Sequence, residues 1–434
     1  MSCGWRVRPA GPLAGELRVP GDKSISHRAL LAGAIADAPL VVSGFLAGED
    51  CLATRRAVEC LGVLVEDLPD GSLRVTPPPH LRPPRAPLDL GNSGTGIRLL
   101  LGLLAGQRVP VVLTGDASLR KRPMERVAEP LRHMGARIDT TSGRPPVTLL
   151  ASDPLSGIEW DMPVASAQVK SALLLAGLAA RGRTVVRQPA PTRDHTERML
   201  AALGCRLEWG AWGAGLAGPA RLSGGRIAVP GDFSSAAFFL VGGLLAARDE
   251  ALVLRGVGVN PTRTGLVEVL RAMGGRIDVS AEREESGEPV ADLSVRACDL
   301  RGVDVPPELV PLAIDEFPAL FVAAAFARGC TRVRGAAELR VKESDRLTVM
   351  ARGLAALGVR VRELEDGIEI EGGGASAGSV RSDGDHRVAM AFAIAGSRVP
   401  VEVHDVANVA TSFPGFEAAA ATVGLTLDRL DGGT

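Results

Sequence analysis

Apolar and polar positions along this chain follow a long period. Six times a segment with apolar residues at helical spacing ends in an apolar residue and a glycine, and a short alternating run follows. The six are "LGVLVEDL" at Gly62, "MGARIDT" at Gly135, "LGCRLEW" at Gly204, "MGGRIDV" at Gly274, "LGVRVREL" at Gly358 and "VGLTLDRL" at Gly424. Successive glycines lie 73, 69, 70, 84 and 66 positions apart. A recurrence of this kind marks a repeated supersecondary unit. The segments before the glycines, such as "LATRRAVECLG", predict amphipathic helices, and the glycine suits the left-handed residue that ends them. The longest step contains "AEREESGEP", read here as an inserted charged loop.

A second kind of helix recurs with the first: "RALLAGAIA", "IRLLLGLLAG", "SALLLAGLAA", "SSAAFFLVGGLLAA", "PALFVAAAFA" and "VAMAFAIAG". These are apolar nearly all round, and a helix without a polar stripe belongs inside a core. Ser166, Asp232, Asp315 and Asp385 stand where N-caps are expected. Each unit is thus expected to hold one buried helix, one amphipathic helix and short strands. Six units in 434 residues exceed what one core supports, which predicts two domains of three units. The tetrapeptide Val-Pro-Gly-Asp occurs at Val19 and again at Val229. Placed at equivalent points of a duplicated fold, it marks the crossings between domains, giving residues 21–230 as one and 1–20 with 231–434 as the other. Lys23, Ser24, Ser26, His27 and Arg28 follow the first copy; Phe233, Ser234, Ser235 and Ala236 follow the second. The first retains chemistry and the second packing.

Composition narrows the function classes. With 46% apolar and 23% charged residues and a formal net charge of −1, the chain lacks the basic excess that attracts nucleic acid or anionic membrane. Any anion site is local. Cys3, Cys51, Cys60, Cys205, Cys298 and Cys330 show no CxxC and no zinc spacing, and read as reduced, mostly buried thiols of a cytosolic enzyme. The apolar runs are about half a membrane span in length. The expectation is a soluble, cytoplasmic monomer that binds no metal.

Helix starts favour anions through their free N–H groups, and here cations decorate them. "GDKSISHR" offers Lys23, Ser24 and Arg28; "GNSGTGIR" is a glycine-rich turn around Gly94 that matches neither common nucleotide-binding pattern. "KRPMERV" supplies Arg122, "SAQVKSALLL" supplies Ser166, Ala167, Gln168 and Lys170, and "TRDHTERM" supplies Arg193, His195 and Glu197. This last run also reads as a solvated helix start. Farther on, "AIDEFPAL" sets Asp315 beside a second acid, Glu316, that no cap requires. "LRVKESDRL" places Lys342, Glu343 and Arg346 together, equally readable as a salt-bridged exposed face. "DGDHRVAM" brings Arg387 to the last buried helix. The two halves are expected to supply cations to one cleft, with Asp315 and Glu343 among them. That favours small, multiply anionic substrates and proton transfer.

In order, "PGDKSISHR", "GNSGTGIR", "KRPM", "SAQVKSALL", "RDHTERML", "DEFPAL", "RVKESDRL", "DHRVAMAF" and "TSFPGF" resemble the motif set of the 5-enolpyruvylshikimate-3-phosphate (EPSP) synthase family. The resemblance spans Gly21 to Phe416. It implies an α/β fold of two pseudo-threefold domains, each of three βαβαββ units with the helices inside, an inside-out α/β barrel, joined by two crossovers. It implies transfer of the enolpyruvyl group of phosphoenolpyruvate to the 5-hydroxyl of shikimate 3-phosphate on the aromatic amino-acid route, without cofactor, in an enzyme class targeted by glyphosate. By motif matching, Lys23, Ser24, Arg28, Ser166, Ala167, Gln168, Arg193, Asp315 and Lys342 contact shikimate 3-phosphate. Lys23, Gly94, Arg122, Gln168, Arg346 and Arg387 hold phosphoenolpyruvate, and Asp315, Glu343 and Lys23 are catalytic. Many members carry Lys just before the "TFP"-like motif, where this chain has Thr411, so that one cationic contact is either missing or replaced by Lys170. Gly94 stands where glyphosate-tolerant forms often carry Ala. Two alternatives are a UDP-N-acetylglucosamine enolpyruvyl transferase, disfavoured by Lys23-Ser24 and the cysteine-free "TGDASLRKRP", and a non-catalytic phospholigand-binding protein, disfavoured by the presence of Asp315 and Glu343.

Overall fold

The computed structural model describes residues 4–248 and 250–430; Cys3 lies outside them. Its helices are α1 (Lys23–Gly33), α2 (Glu49–Cys60), α3 (Gly94–Gln107), α4 (Glu125–His133), α5 (Ala167–Gly177), α6 (His195–Ala202), α7 (Phe233–Ala246), α8 (Gly265–Ala272), α9 (Val310–Ala313), α10 (Phe317–Phe326), α11 (Arg346–Ala356), α12 (His386–Ala395) and α13 (Phe416–Thr422). The chain forms two compact units. The first comprises residues 21–229 with 284–288, the second residues 1–20, 230–283 and 289–434. Each unit has its own hydrophobic core.

The two helix types fall where the patterning predicts. The all-round apolar helices α1, α3 and α5 lie in the first unit's core and α7, α10 and α12 in the second's. The amphipathic α2, α4, α6, α8, α11 and α13 each lead to one of the six periodic glycines, whose φ values, from +78° at Gly358 to +103° at Gly135, are all left-handed. That region costs an L-residue with a Cβ roughly 1–2 kcal/mol, so glycine recurs at this one geometric point.

Among the described residues six sheets accompany the six helix pairs, five of four strands and one of three. They share a pattern: an outer parallel strand followed by two antiparallel neighbours. In the first unit Gly225–Ala228 pairs parallel with Leu40–Ser43, which pairs antiparallel with Leu73–Thr76. The unit's last strand therefore closes onto its first. In the second unit the segment before the first crossing plays this part. Gly15–Leu17 pairs parallel with Leu252–Gly258, and Gly4–Val7 lies antiparallel between Val401–His404 and Leu427–Leu430. The three-stranded sheet around Cys330–Val333 keeps a remnant of its outer strand as parallel bridges of Arg301 with Arg328 and Asp304 with Arg332.

Several expectations are corrected. The "AEREESGEP" stretch is not a loop but the end of a long hairpin, its residues belonging to the strands Ile277–Glu285 and Glu288–Val295 with Ser286 and Gly287 in the turn. Asp315 is not the cap residue of α10, which begins at Phe317 with Glu316 at the cap position and no side-chain bond from it to the helix start. Ser166, Asp232 and Asp385 do cap α5, α7 and α12. Of the five described cysteines, all free thiols, only Cys51 and Cys205 are buried. Among the described residues no single helix is long and apolar enough to cross a membrane, and no group of three His, Cys, Asp or Glu residues is arranged to hold a metal ion.

Candidate active site

Two constellations carry the polar groups that the repeats leave unexplained, one in each unit. In the first unit, Asp22 caps α1 by accepting from the Ile25 N–H at 2.9 Å, which fixes the helix start and aligns Lys23, Ser24 and Arg28 along its first turns. The Lys23 ammonium donates to Asp50 Oδ2 of α2 at 2.6 Å. Arg28 is buried, and its guanidinium bonds only uncharged acceptors: Thr196 Oγ1 at 2.6 Å, Ser171 Oγ at 2.8 Å and the Ser24 carbonyl at 2.9 Å. Burial pulls Arg28 down to about 10 against the opposing field of Glu197. It stays cationic at neutral pH, with no carboxylate bonded to it. Arg193, in the loop before α6, is close enough for its charge to oppose that of Arg28.

Ser166 caps α5, so Ala167 and Gln168 open that helix with their N–H groups at its positive end. Gln168 accepts from Arg98 Nη1 at 2.8 Å and donates to Thr95 Oγ1 at 3.0 Å. Arg98 also reaches the Pro123 carbonyl at 3.0 Å and the Gly94 carbonyl at 3.4 Å. It thereby joins the glycine-rich turn, the segment after Arg122 and the start of α5. Arg122 donates to Asn92 Oδ1. At Gly94 a Cβ would lie 2.9 Å from Arg122 Nη1 and 3.1 Å from Arg98 Nη1, so glycine is what lets two guanidinium groups approach the turn.

Of the two alternatives for the absent family Lys, replacement by Lys170 is disfavoured. Lys170 is 1% exposed and pairs with Glu197 Oε1 at 2.7 Å, its ammonium also bonding Gln188 Oε1 at 3.1 Å. Nor is "RDHTERM" a solvated helix start, because His195, Thr196 and Glu197 are all buried. His195 Nδ1 lies 2.7 Å from Glu288 Oε1, within the same unit.

In the second unit Arg346 opens α11 and is 1% exposed, which removes the exposed-face reading of "LRVKESDRL". Its guanidinium meets Glu343 Oε2 at 2.6 Å, Asp385 Oδ2 at 2.8 Å and Asp315 Oδ1 at 3.4 Å. Burial works against its charge, but Asp385, Glu343 and Asp315 more than offset this and hold it above the usual arginine value. Lys342 Nζ also approaches Asp315 Oδ1 at 3.4 Å, and Arg387 Nη1 donates to the Asp315 carbonyl at 3.0 Å. Asp315, Lys342, Glu343, Arg346 and Arg387 thus form one cluster. The extra acid Glu316 is fully buried, accepts from Ser234 Oγ, and lies 3.8 Å from Arg387 and 4.0 Å from Arg263. Thr411, at the position of the family Lys, is buried and donates to the Asn408 carbonyl at 2.6 Å.

Arg98 and Arg263 were not singled out from the sequence. Arg98 ends the quoted "GNSGTGIR", and its place at the edge of an otherwise apolar helix was the available signal. Arg263 follows a Pro-Thr turn with no pattern to distinguish it.

The EPSP synthase family, described as 3-phosphoshikimate 1-carboxyvinyltransferase, matches residues 7–419. A 3-phosphoshikimate 1-carboxyvinyltransferase of Methylococcus capsulatus is 55% identical over 429 residues, covering 97% of this chain and 97% of the relative. One of Alkalilimnicola ehrlichii is 56% identical over 436 residues, with 98% and 97% covered. A solved EPSP synthase structure from Acinetobacter baumannii superposes with a TM-score of 0.89 at 48% identity, over 99% of this chain and 100% of that one. With nine motifs in order and this likeness along nearly its whole length, the chain belongs to the EPSP synthase family.

Proposed function

We propose that this protein transfers the enolpyruvyl group of phosphoenolpyruvate to the 5-hydroxyl of shikimate 3-phosphate and releases phosphate. Both substrates carry phosphate, and like charges about 4 Å apart repel by roughly 4 kcal/mol at an effective dielectric near 20. Lys23, Ser24, Arg28, Ser166, Ala167, Gln168, Arg193 and Lys342 are assigned to shikimate 3-phosphate, and Lys23, Gly94, Arg122, Gln168, Arg346 and Arg387 to phosphoenolpyruvate. Guanidinium groups suit both partners because they bind carboxylate and phosphate through two parallel bonds.

Asp315 takes the proton of the 5-hydroxyl as its oxygen attacks C2 of phosphoenolpyruvate, while C3 gains a proton. The tetrahedral adduct then loses a proton from C3 and expels phosphate from C2. Lys23 and Glu343 serve these transfers at the methylene carbon. The observation that supports this reading best is the Asp315–Arg346–Glu343 arrangement, two carboxylates against one buried guanidinium, in a chain that matches the family over residues 7–419. Neither the UDP-N-acetylglucosamine transferase nor the non-catalytic alternative has comparable support. Purified protein mixed with both substrates should release one phosphate per enolpyruvyl product, followed by phosphorus NMR. UDP-N-acetylglucosamine in place of shikimate 3-phosphate should release none. No phosphate from the first mixture overturns the proposal.

A further inference from the structure

His27 has no part in the chemistry above, yet it is completely buried in the middle of it. It lies on α1 between Lys23 and Arg28, and both ring nitrogens face hydroxyls: Nδ1 is 2.8 Å from Thr54 Oγ1 of α2, and Nε2 is 3.4 Å from Ser93 Oγ. Ser93 is the N-cap of α3, where its oxygen accepts from the Gly96 N–H at 3.0 Å. The packing leaves no slack, since a Cβ at Gly96 would lie 2.7 Å from Thr54 Oγ1 and 2.8 Å from Ser93 Oγ.

One set of proton directions gives each of these groups a partner. In that set the Thr54 hydroxyl donates to the Asp50 carbonyl, 3.4 Å away, which can only accept. The Thr54 oxygen is then left to accept from Nδ1–H. Nε2 carries no proton and accepts from the Ser93 hydroxyl, whose oxygen remains open to the Gly96 N–H. We infer that His27 is a positioning residue: a neutral Nδ1–H imidazole that holds the Ser93 cap, and with it the Gly94 turn, in fixed register with the helix bearing Lys23 and Arg28. The groups acting on its charge agree. Burial and the neighbouring Lys23 and Arg28 lower its pKa to about 3, against Asp22. From α2 it faces Thr54 and from α3 Ser93. Asp50, whose carbonyl ends the chain of bonds, is the residue whose carboxylate holds Lys23. One line of hydrogen bonds therefore connects the catalytic lysine's anchor to the turn assigned to phosphoenolpyruvate.

The positioning role rests on the function proposed above; the proton arrangement does not, and the experiment separates them. In nitrogen-15 spectra of the labelled wild-type protein, the His27 ring should show the neutral Nδ1–H form unchanged between about pH 5.5 and 8.5. An Nε2–H form, or titration inside that range, overturns the inference whatever the enzyme does. In kinetics, His27→Ala and Ser93→Ala should each raise KM for phosphoenolpyruvate by about tenfold, the scale of one lost hydrogen bond, with kcat and KM for shikimate 3-phosphate far less affected. The double variant should be no worse than either single one, because both break the same line. His27→Asn, which keeps one donor and one acceptor, should recover part of the loss and serves if the alanine variant does not fold. Unchanged KM for phosphoenolpyruvate in folded variants, or effects that multiply, overturns the positioning role while wild-type turnover leaves the proposed function standing. Absence of turnover in the wild type overturns both function and role.

Discussion

Asp315 receives Lys342 and Arg346 on one carboxylate oxygen, and its backbone carbonyl receives Arg387. Three cations converging on one residue keep an acid in place without sealing it in, since its side chain remains 15% exposed while that of Arg346 is 1% exposed. Removing the carboxylate leaves Arg346 with Glu343 and Asp385, so the buried charge stays compensated and the fold should survive. Asp315→Ala is therefore expected to lower turnover by about 10²–10⁴-fold, the usual worth of a positioned base, while calorimetry still detects shikimate 3-phosphate binding. Turnover within threefold of wild type would remove Asp315 from its assigned role. Residue identities at the cluster were legible in the sequence because motifs preserve them. Burial was not. Whether Arg346 faces solvent depends on Asp315 and Asp385, 31 and 39 positions away, and a local helical period carries no information about such partners. The same holds for Lys170, whose partner Glu197 belongs to another helix.

Among elements, the six apolar helices and six glycine stops were readable because each reflects a local rule, an unbroken apolar circumference or a left-handed residue. Helix boundaries and the long hairpin were less so. A charged alternating stretch such as "AEREESGEP" reads as loop until its cross-strand partner is known. Packing between core helices is closer than pattern alone reveals. A Cβ at Gly102 of α3 would lie 2.2 Å from the Ala172 carbonyl oxygen of α5, and one at Gly106 would lie 2.9 Å from that of Ala176. Backbones this near leave no room for a methyl group. Gly102→Ala gains up to about 1 kcal/mol of helix propensity, but overpacking costs about 1–3 kcal/mol or more. The melting temperature should fall by several degrees in calorimetry; a rise would show that α3 and α5 can part without cost.

For the whole molecule, a formal charge of −1 coexists with clustered cations, so the charges proposed to receive two phosphates are side chains and not the field of a basic protein. Phosphate release should then be unchanged after exhaustive treatment with a chelator and dialysis, and loss of activity restored by a divalent cation would contradict this. The duplicated plan also sets an order of events during synthesis. Strand Gly4–Val7 is made before residues 21–229, yet both of its neighbours, Val401–His404 and Leu427–Leu430, are made after them. Residues 21–229 can assemble nearly all of their own layers as they leave the ribosome, whereas the second unit must wait for Val401–His404 and Leu427–Leu430. A nascent chain stopped before Val401 would carry a finished first unit and a second whose strand Gly4–Val7 has neither edge to join, a ready substrate for chaperones.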